Sequence, residues 1–120
     1  RNPYYGLSVH SILIFRFIKL QDFMGDKLFK QLLSRVGDYK DNMSLIDILD
    51  KLEKLEVIDS ADKWMEYRVI RNKLTHEYPD NEDEVIDGIK MAVVIFKEIS
   101  LILENIDSFI KLKKLLWVIL

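Results

Sequence analysis

Apolar residues recur every three or four positions along most of the chain, a spacing that is typical of amphipathic helices. The first such stripe predicts a long helix from about Ser8 to Val36. Its apolar positions are Leu13, Phe17, Leu20, Met24, Leu28, Leu32 and Val36. Gly25 lies inside this helix and weakens it by about 1 kcal/mol relative to alanine. We therefore expect either a kink or a close contact with another helix at this glycine.

A second, shorter helix follows the polar stretch GDYKDNM, whose turn-forming residues predict a loop. Ser44 is placed to cap this helix, and Asp47 occupies the position that completes the start signal. The stripe behind them consists of Leu45, Ile48, Leu49, Leu52 and Leu55.

Two more helices complete the pattern. The third is capped by Asp59 or Ser60 and ends near His76. Its end is set by Pro79, which cannot continue a helix and which biases the residue before it away from helical angles. The last begins in the acidic stretch DNEDE, where negative charge favours a helix start. Its stripe consists of Val85, Ile89, Ala92, Val93, Phe96, Ile99, Leu103, Ile106 and Ile110.

These elements predict an all-α fold. We find no strand signal, no internal repeat and no domain linker, and 120 residues suffice for one core. We therefore expect a single domain over residues 1–120, built as an up-and-down bundle of four helices, or five if one precedes the given sequence. The apolar ending KLKKLLWVIL predicts a continuation of the last helix, packed or at an interface.

Composition narrows the class of protein. The chain is 49% hydrophobic and 32% charged, as expected of a soluble globular domain, and no apolar run is long enough to span a membrane. It contains no cysteine, which excludes disulfides and thiolate metal sites and favours a cytoplasmic location. Its net charge of −2 argues against nucleic-acid binding by overall electrostatics. Any such contact must be local, or the partner is another protein.

The stretch RVIRNKLTHEYPD, residues 68–80, gathers the most reactive side chains of the chain. Helical spacing places Arg68, Arg71, Thr75 and Tyr78 on one face. Two further polar residues flank this face, Asn72 and His76. Arg71 and His76 are about 140° apart around an ideal helix. They therefore meet at one ligand only if the helix unwinds or if a second chain completes the site.

An arginine and a histidine together suit metal-free cleavage of RNA. A base removes the proton from the ribose 2′-hydroxyl, which attacks the adjacent phosphate, and arginine stabilises the negative charge that develops. The reaction needs an acid and a base, while this face offers one histidine, so two facing chains would supply both. The chemistry requires no metal and no cofactor.

Structural roles would explain the same residues without any chemistry. A histidine in the last turn of a helix interacts favourably with the helix dipole. The two arginines have acidic neighbours with which to pair, Glu66 and Glu77. Trp64 and Tyr67 are expected in the core.

Other polar positions also have simple interpretations. His10 is expected at the surface or as a helix cap. The acidic positions after the proline are most simply the solvated start of the last helix, and they are Asp80, Glu82, Asp83 and Glu84. No histidine is placed to share a metal with them.

RNKLTHEY resembles the R-x-x-x-x-H-x-Y motif of the HEPN superfamily, with Arg71, His76 and Tyr78 in the motif positions and Asn72 as the polar residue after the arginine. The likeness is closest to the HepT-like toxins and to the small proteins encoded beside minimal nucleotidyltransferases. RFIKLQDFMG, residues 16–25, is similar to the second helix of these proteins, and EYPD also matches. The resemblance covers about residues 8–109.

The resemblance implies a helical bundle that forms a homodimer with two motifs in one cleft. It implies the toxin of a type VII-like toxin–antitoxin pair, a metal-independent ribonuclease in which Arg71 binds phosphate and His76 transfers protons. Asn72, Arg68 and Thr75 would support them. The cognate minimal nucleotidyltransferase would be the antitoxin and would attach AMP to Tyr78. The alternatives are a non-catalytic binding partner of such a nucleotidyltransferase, and a helical dimer in which the motif only packs.

Overall fold

The computed structural model describes residues 9–76 and 82–119, and these residues form helices joined by short loops. Of the described residues, 85% are helical and none belongs to a strand. The elements are α1 (Val9–Phe23), a π-helical segment (Met24–Leu28), α2 (Phe29–Arg35), α3 (Leu45–Lys54), α4 (Ala61–His76) and α5 (Glu82–Ile119). The prediction of an all-α fold is confirmed.

The first long helix is continuous, because α1, the π-helical segment and α2 follow one another without a break. Phe17, Met24 and Leu32 of its predicted stripe are buried, whereas Leu13 is 48% exposed because the core begins at Phe17 among the described side chains. Gly25 lies in the π-helical segment, and a methyl group built on it would lie 3.8 Å from the indole of Trp64. The expected close contact with another helix is thus observed, through Trp64 of α4, and the irregularity at this glycine is a π-helical segment.

Side-chain caps fix where α3 and α4 begin. Ser44 Oγ accepts a hydrogen bond from the Asp47 amide at 3.2 Å, and the Asp47 carboxylate accepts one from the Ser44 amide, as the sequence predicts. At α4, Ser60 Oγ accepts a hydrogen bond from the Lys63 amide at 3.2 Å. Ser60 is therefore the cap of α4, and the cap of α5 lies outside the described residues.

A cluster of aromatic rings forms the centre of the core. Phe29 of α2 and Trp64 of α4 pack edge to face with their ring centroids 4.8 Å apart. Tyr67 adds a second edge-to-face contact to the same indole at 6.1 Å. Such pairs stabilise by about 0.5–1.5 kcal/mol beyond the burial of their area. The prediction that Trp64 and Tyr67 belong to the core is confirmed.

The buried line of α5 differs from the predicted stripe. Ala92, Ile95 and Ile99 are buried, whereas Val93 and Phe96 are 45% and 48% exposed. The helix packs against the rest of the chain along the line of Ala92, Ile95 and Ile99. Val93 and Phe96 lie on the next line of residues around the helix. The pattern identified the helix correctly and its packed face only in part, because α5 carries apolar residues on two faces.

The C-terminal part of α5 extends beyond the core. At about 1.5 Å per residue the helix is about 57 Å long, which accounts for a molecule of 63 × 27 × 21 Å. Ile106 is the last buried residue among those described, and residues 111–119 of the apolar ending are helical and exposed, with Trp117 at 86%. The prediction that the apolar ending continues the last helix is confirmed, whereas packing of this ending against its own chain is not observed.

No helix in the described ranges is long and apolar enough to cross a membrane.

Candidate functional site

The candidate site lies where α4 faces the middle of α1. Trp64, Arg68 and Arg71 are four and seven residues apart on α4, so they share one face of that helix. Gln21 and Asp22 supply the opposing surface from α1. The two helices enclose a cavity of about 220 Å³. It is lined by Gln21, Asp22, Gly25, Asp26, Trp64, Arg68, Arg71 and Asn72.

Arg71 is held at the rim of this cavity by a two-point contact with Asp22. Its Nε donates to Asp22 Oδ1 at 3.0 Å, and its Nη2 donates to Asp22 Oδ2 at 2.5 Å. The side chains of Arg71 and Asp22 are 22% and 41% exposed, so water screens the pair only in part. The planar guanidinium fits a carboxylate in this way, and the contact fixes its orientation as well as its charge.

Two neighbours of Arg71 on α4 also bond to it. Asn72 Oδ1 accepts a hydrogen bond from Arg71 Nη1 at 3.1 Å, so this asparagine contacts the arginine rather than lying free on the flank of the helix. Thr75 Oγ1 donates to the Arg71 carbonyl oxygen at 2.9 Å and is exposed. Arg71 thus pairs with an acid of a different helix. Of the two acids expected to pair with the arginines, Glu66 forms no ion pair with a described residue, and Glu77 lies outside the described residues.

The other motif residues are Arg68, His76 and Tyr78. Arg68 is half-buried at the cavity, and among the described residues it forms no ion pair. His76 is the last residue of α4, and its side chain lies outside the described structure. Tyr78 also lies outside the described residues. The structure therefore brings together the arginines and Asn72 of the predicted site.

Two buried polar side chains of the cavity lack hydrogen-bond partners. Gln21 is 2% exposed and Trp64 is 1% exposed. The amide nitrogen and oxygen of Gln21 and the indole Nε1 of Trp64 form no hydrogen bond in the described structure. Most buried polar atoms in folded proteins have partners, so three such atoms at one cavity are unusual.

Tyr67 connects the site helix to α5. Its hydroxyl donates a hydrogen bond to Glu98 Oε2. Burial raises the pKa of the Tyr67 hydroxyl, and the hydrogen bond to Glu98 and the negative charges of Glu98, Glu66 and Asp59 raise it further. The hydroxyl is a stable hydrogen-bond donor across the neutral range, which makes it a structural link next to the site.

Neither carboxylate of the cavity is accompanied by enough ligands to form a metal site. Among the described residues, no group of three or more histidine, cysteine, aspartate or glutamate side chains is placed to hold an ion. The charges at the cavity balance instead, with Asp22 and Asp26 opposite Arg68 and Arg71.

Sequence reasoning did not single out Gln21, Asp22 or Asp26 as site residues. A signal for Gln21 exists in the pattern: it follows Phe17 by four positions and precedes Met24 by three, so a polar side chain stands on the buried line of α1. Asp22 belongs to KLQD, one of the stretches that carries the HEPN resemblance. Its contact with Arg71 joins positions 49 residues apart, which no local spacing indicates.

Comparison with protein-family models, with curated proteins and with solved structures found no match for this chain. The resemblance to the HEPN superfamily therefore rests on the residues quoted from the sequence.

Proposed function

We propose that this protein is a HEPN-type, metal-independent ribonuclease that acts as the toxin of a toxin–antitoxin pair. The observation that supports the proposal best is the fixed orientation of Arg71 at the rim of a cavity. Arginine carries five N–H groups, and three of those of Arg71 are engaged by Asp22 and Asn72. Among the described residues, two N–H groups have no partner and are proposed to bind a phosphate, on a guanidinium that Asp22 already holds in place.

The proposed reaction is an attack of a ribose 2′-hydroxyl on the neighbouring phosphate. One histidine accepts the proton of the attacking hydroxyl as the new phosphorus–oxygen bond forms. The bond from phosphorus to the 5′-oxygen then breaks, and a second histidine donates the proton that this oxygen requires. Arg71 stabilises the additional negative charge on the phosphate oxygens, and Arg68 adds positive charge beside it. The product is a 2′,3′-cyclic phosphate.

The need for two histidines makes a homodimer part of the proposal. His76 would be the acid in one chain and the base in the other, with the motifs of two up-and-down bundles facing each other across one cleft. The exposed apolar side chains of α5 support an association between chains, because large exposed apolar surfaces mark interaction sites. Among them are Val94, Leu101, Leu115 and Trp117, each more than half exposed.

A second candidate function is a non-catalytic partner of a minimal nucleotidyltransferase. The balance of charge at the cavity favours this alternative, since Asp22 and Asp26 offset the two arginines and a site for RNA phosphates is expected to be positive. In that case the same face would bind the partner protein. The predicted cytoplasmic location, which rests on the lack of cysteine, suits both candidates.

RNA cleavage in the presence of EDTA tests the proposal. Purified protein should cleave RNA and leave 2′,3′-cyclic phosphate ends, and Arg71→Ala and His76→Ala should each reduce the rate at least about a hundredfold. Arg35→Ala is the matched control, because Arg35 is an exposed arginine of α2 that does not line the cavity. Circular dichroism should show that all three variants remain helical.

The alternative predicts a different result. A binding partner should show no cleavage in EDTA and should form a stable complex with the nucleotidyltransferase that Arg71→Ala weakens. Cleavage that survives both motif substitutions, or that requires a divalent metal, would contradict the proposed mechanism.

A further inference from the structure

The positive charge that the cavity lacks lies on the outer surface of the first long helix. From Val9 to Arg35 this helix carries five basic and two acidic side chains, a net charge of +3 with histidine neutral, whereas the whole chain has a net charge of −2. The two acids, Asp22 and Asp26, line the cavity. The five basic side chains are exposed, and none of them forms an ion pair with another described residue.

Four of these cations follow one line of the helix and are interrupted by an exposed aromatic ring. The successive spacings along this line are three, four, four and three residues, which place side chains on one face of a helix. The buried side chains of the same helix, such as Met24 and Phe29, lie on the opposite side. We call this line, together with the neighbouring Phe15, the basic strip. It consists of Phe15, Arg16, Lys19, Phe23, Lys27 and Lys30.

The two phenylalanines of the basic strip are exposed between the cations. Phe15 is 58% exposed and Phe23 is 55% exposed. Lys19 Nζ lies 5.2 Å from the centroid of the Phe15 ring, so a cation and a ring already contact each other on this surface. Proteins that bind single-stranded nucleic acid combine positive charge along the backbone with aromatic rings on which bases stack. The basic strip presents both features on one helix face.

We propose that the basic strip binds a single-stranded segment of the RNA substrate, with phosphates at its cations and bases stacked on Phe15 and Phe23. The strip rises about 20 Å from Arg16 to Lys30, which suits a short stretch of nucleotides. An acidic protein would match the cations but not the rings, whereas each nucleotide offers an anionic phosphate and an aromatic base. The identification of the ligand as RNA rests on the proposed ribonuclease function.

The basic strip lies beside the cavity. Asp22 directly precedes Phe23, and Asp26 directly precedes Lys27, so the residues that line the cavity form the neighbouring line around the helix. A strand on the basic strip would therefore pass close to the rim where Asp22 holds Arg71. The attraction for RNA would come from the strip, and the balanced charge of the cavity would then be no obstacle to binding.

Anisotropy of a labelled oligonucleotide measures this binding apart from cleavage. The probe is a fluorescein-labelled 2′-O-methyl RNA of mixed sequence and about 12 nucleotides. It has no free 2′-hydroxyl within the chain, so the proposed reaction cannot cut it. If the four cations each contact a phosphate, the logarithm of the association constant should fall with the logarithm of the salt concentration at a slope of about −2.8. A fourfold increase in salt should then weaken binding about fiftyfold.

Removal of two lysines tests the contribution of charge. The double variant Lys19→Ala with Lys27→Ala should reduce the slope to about −1.4, so that the same fourfold increase in salt weakens binding only about sevenfold. The control is Lys90→Ala with Lys97→Ala, which removes the same charge from exposed positions of α5. This control should keep the slope and the affinity of the wild type, and circular dichroism should show that both double variants remain helical.

Removal of one ring tests the stacking of bases. Phe23→Ala should weaken binding by a factor between about five and about a hundred, the range that alanine substitution of a stacking residue gives. It should leave the salt slope unchanged, because it removes no charge. Phe96→Ala is the matched control, since Phe96 is 48% exposed on α5, and it should bind the probe as the wild type does.

The outcomes separate this inference from the proposed function. Binding that depends on the basic strip, without cleavage of unmodified RNA in EDTA, would support the strip and contradict the ribonuclease. Cleavage of unmodified RNA together with no binding of the probe, or with binding that the strip variants do not change, would overturn the strip and leave the ribonuclease standing. An equal loss of affinity in the α5 lysine control, or a Phe23→Ala variant that binds as the wild type does, would also overturn the inference.

Discussion

Asp22 on α1 holds Arg71 on α4 through both of its carboxylate oxygens, at 3.0 and 2.5 Å. The contact joins two helices and fixes the arginine that the candidate site depends on. Asp22 also offsets the charge of that arginine. A ligand bound to the remaining N–H groups of Arg71 would therefore be held more by the direction of the hydrogen bonds than by net charge. A single pair thus contributes to the fold and sets the electrostatic character of the site.

The Asp22–Arg71 pair should show a modest, salt-dependent coupling. Partly exposed ion pairs contribute about 0.2–1 kcal/mol, so we expect Asp22→Asn to lower the free energy of unfolding by about 1 kcal/mol. A double-mutant cycle with Arg71→Gln, measured by urea unfolding, should give a coupling of about 0.5–1 kcal/mol that decreases in high salt. Asp26→Asn is the control, because Asp26 lines the same cavity without bonding to Arg71. If the effects of Asp22→Asn and Arg71→Gln on the free energy of unfolding are additive, the pair contributes no coupling energy.

The Tyr67–Glu98 hydrogen bond should make the protein sensitive to alkaline pH. The pKa of Tyr67 is raised in the folded state by burial and by Glu98, so above about pH 10 the unfolded chain loses a proton that the folded chain retains. The free energy of unfolding should therefore fall as pH rises above 10. Tyr67→Phe should lower stability by about 1–2 kcal/mol at neutral pH and should flatten the alkaline decline.

A matched tyrosine variant serves as the reference for this experiment. Tyr39→Phe changes a partly buried tyrosine and leaves the bond between Tyr67 and Glu98 intact. Thermal unfolding of the three proteins between pH 7 and about pH 11 should show that only Tyr67→Phe loses the steep decline. An equal decline in all three would mean that another group governs alkaline stability.

Modification of Tyr78 is the prediction that concerns control of the proposed toxin. Co-expression with the cognate nucleotidyltransferase should add one or more AMP groups to Tyr78, and each group would bring negative charge and bulk toward Arg71, where the RNA phosphate is proposed to bind. Growth inhibition should cease. Intact-mass measurement of the wild type and Tyr78→Phe decides the acceptor, since an adduct that persists on Tyr78→Phe would assign the modification to another residue.

Mixing the wild type with an inactive variant tests whether the site is shared between chains. Because the proposed reaction uses His76 of both chains, a heterodimer of the wild type with His76→Ala should be inactive, and an equal mixture should keep about a quarter of the wild-type activity instead of about half. Light scattering should show a dimer at micromolar concentration. A monomer at that concentration, or a mixture that keeps about half of the activity, would contradict a site shared between chains.

The sequence alone determined the helices of this protein. Apolar spacing located α3 and α4 and the long first helix, and the Ser44–Asp47 cap appeared in the structure as expected. These features follow from local physics: a helix closes its hydrogen bonds within a few residues, and a cap acts on the next turn. The sequence also indicated Arg68, Arg71 and Asn72 as neighbours, because helical periodicity places them near one another.

Only the tertiary structure decided which faces meet. It placed Asp22 against Arg71, exposed Val93 and Phe96 although the pattern assigned them to the core, and placed Gln21 beside the same cavity as Trp64. These relationships depend on how far each helix is rotated about its axis and on which neighbour covers it. That rotation is set by packing between residues distant in the sequence, and a helix such as α5 with apolar residues on two faces leaves it undetermined until the other helices are in place.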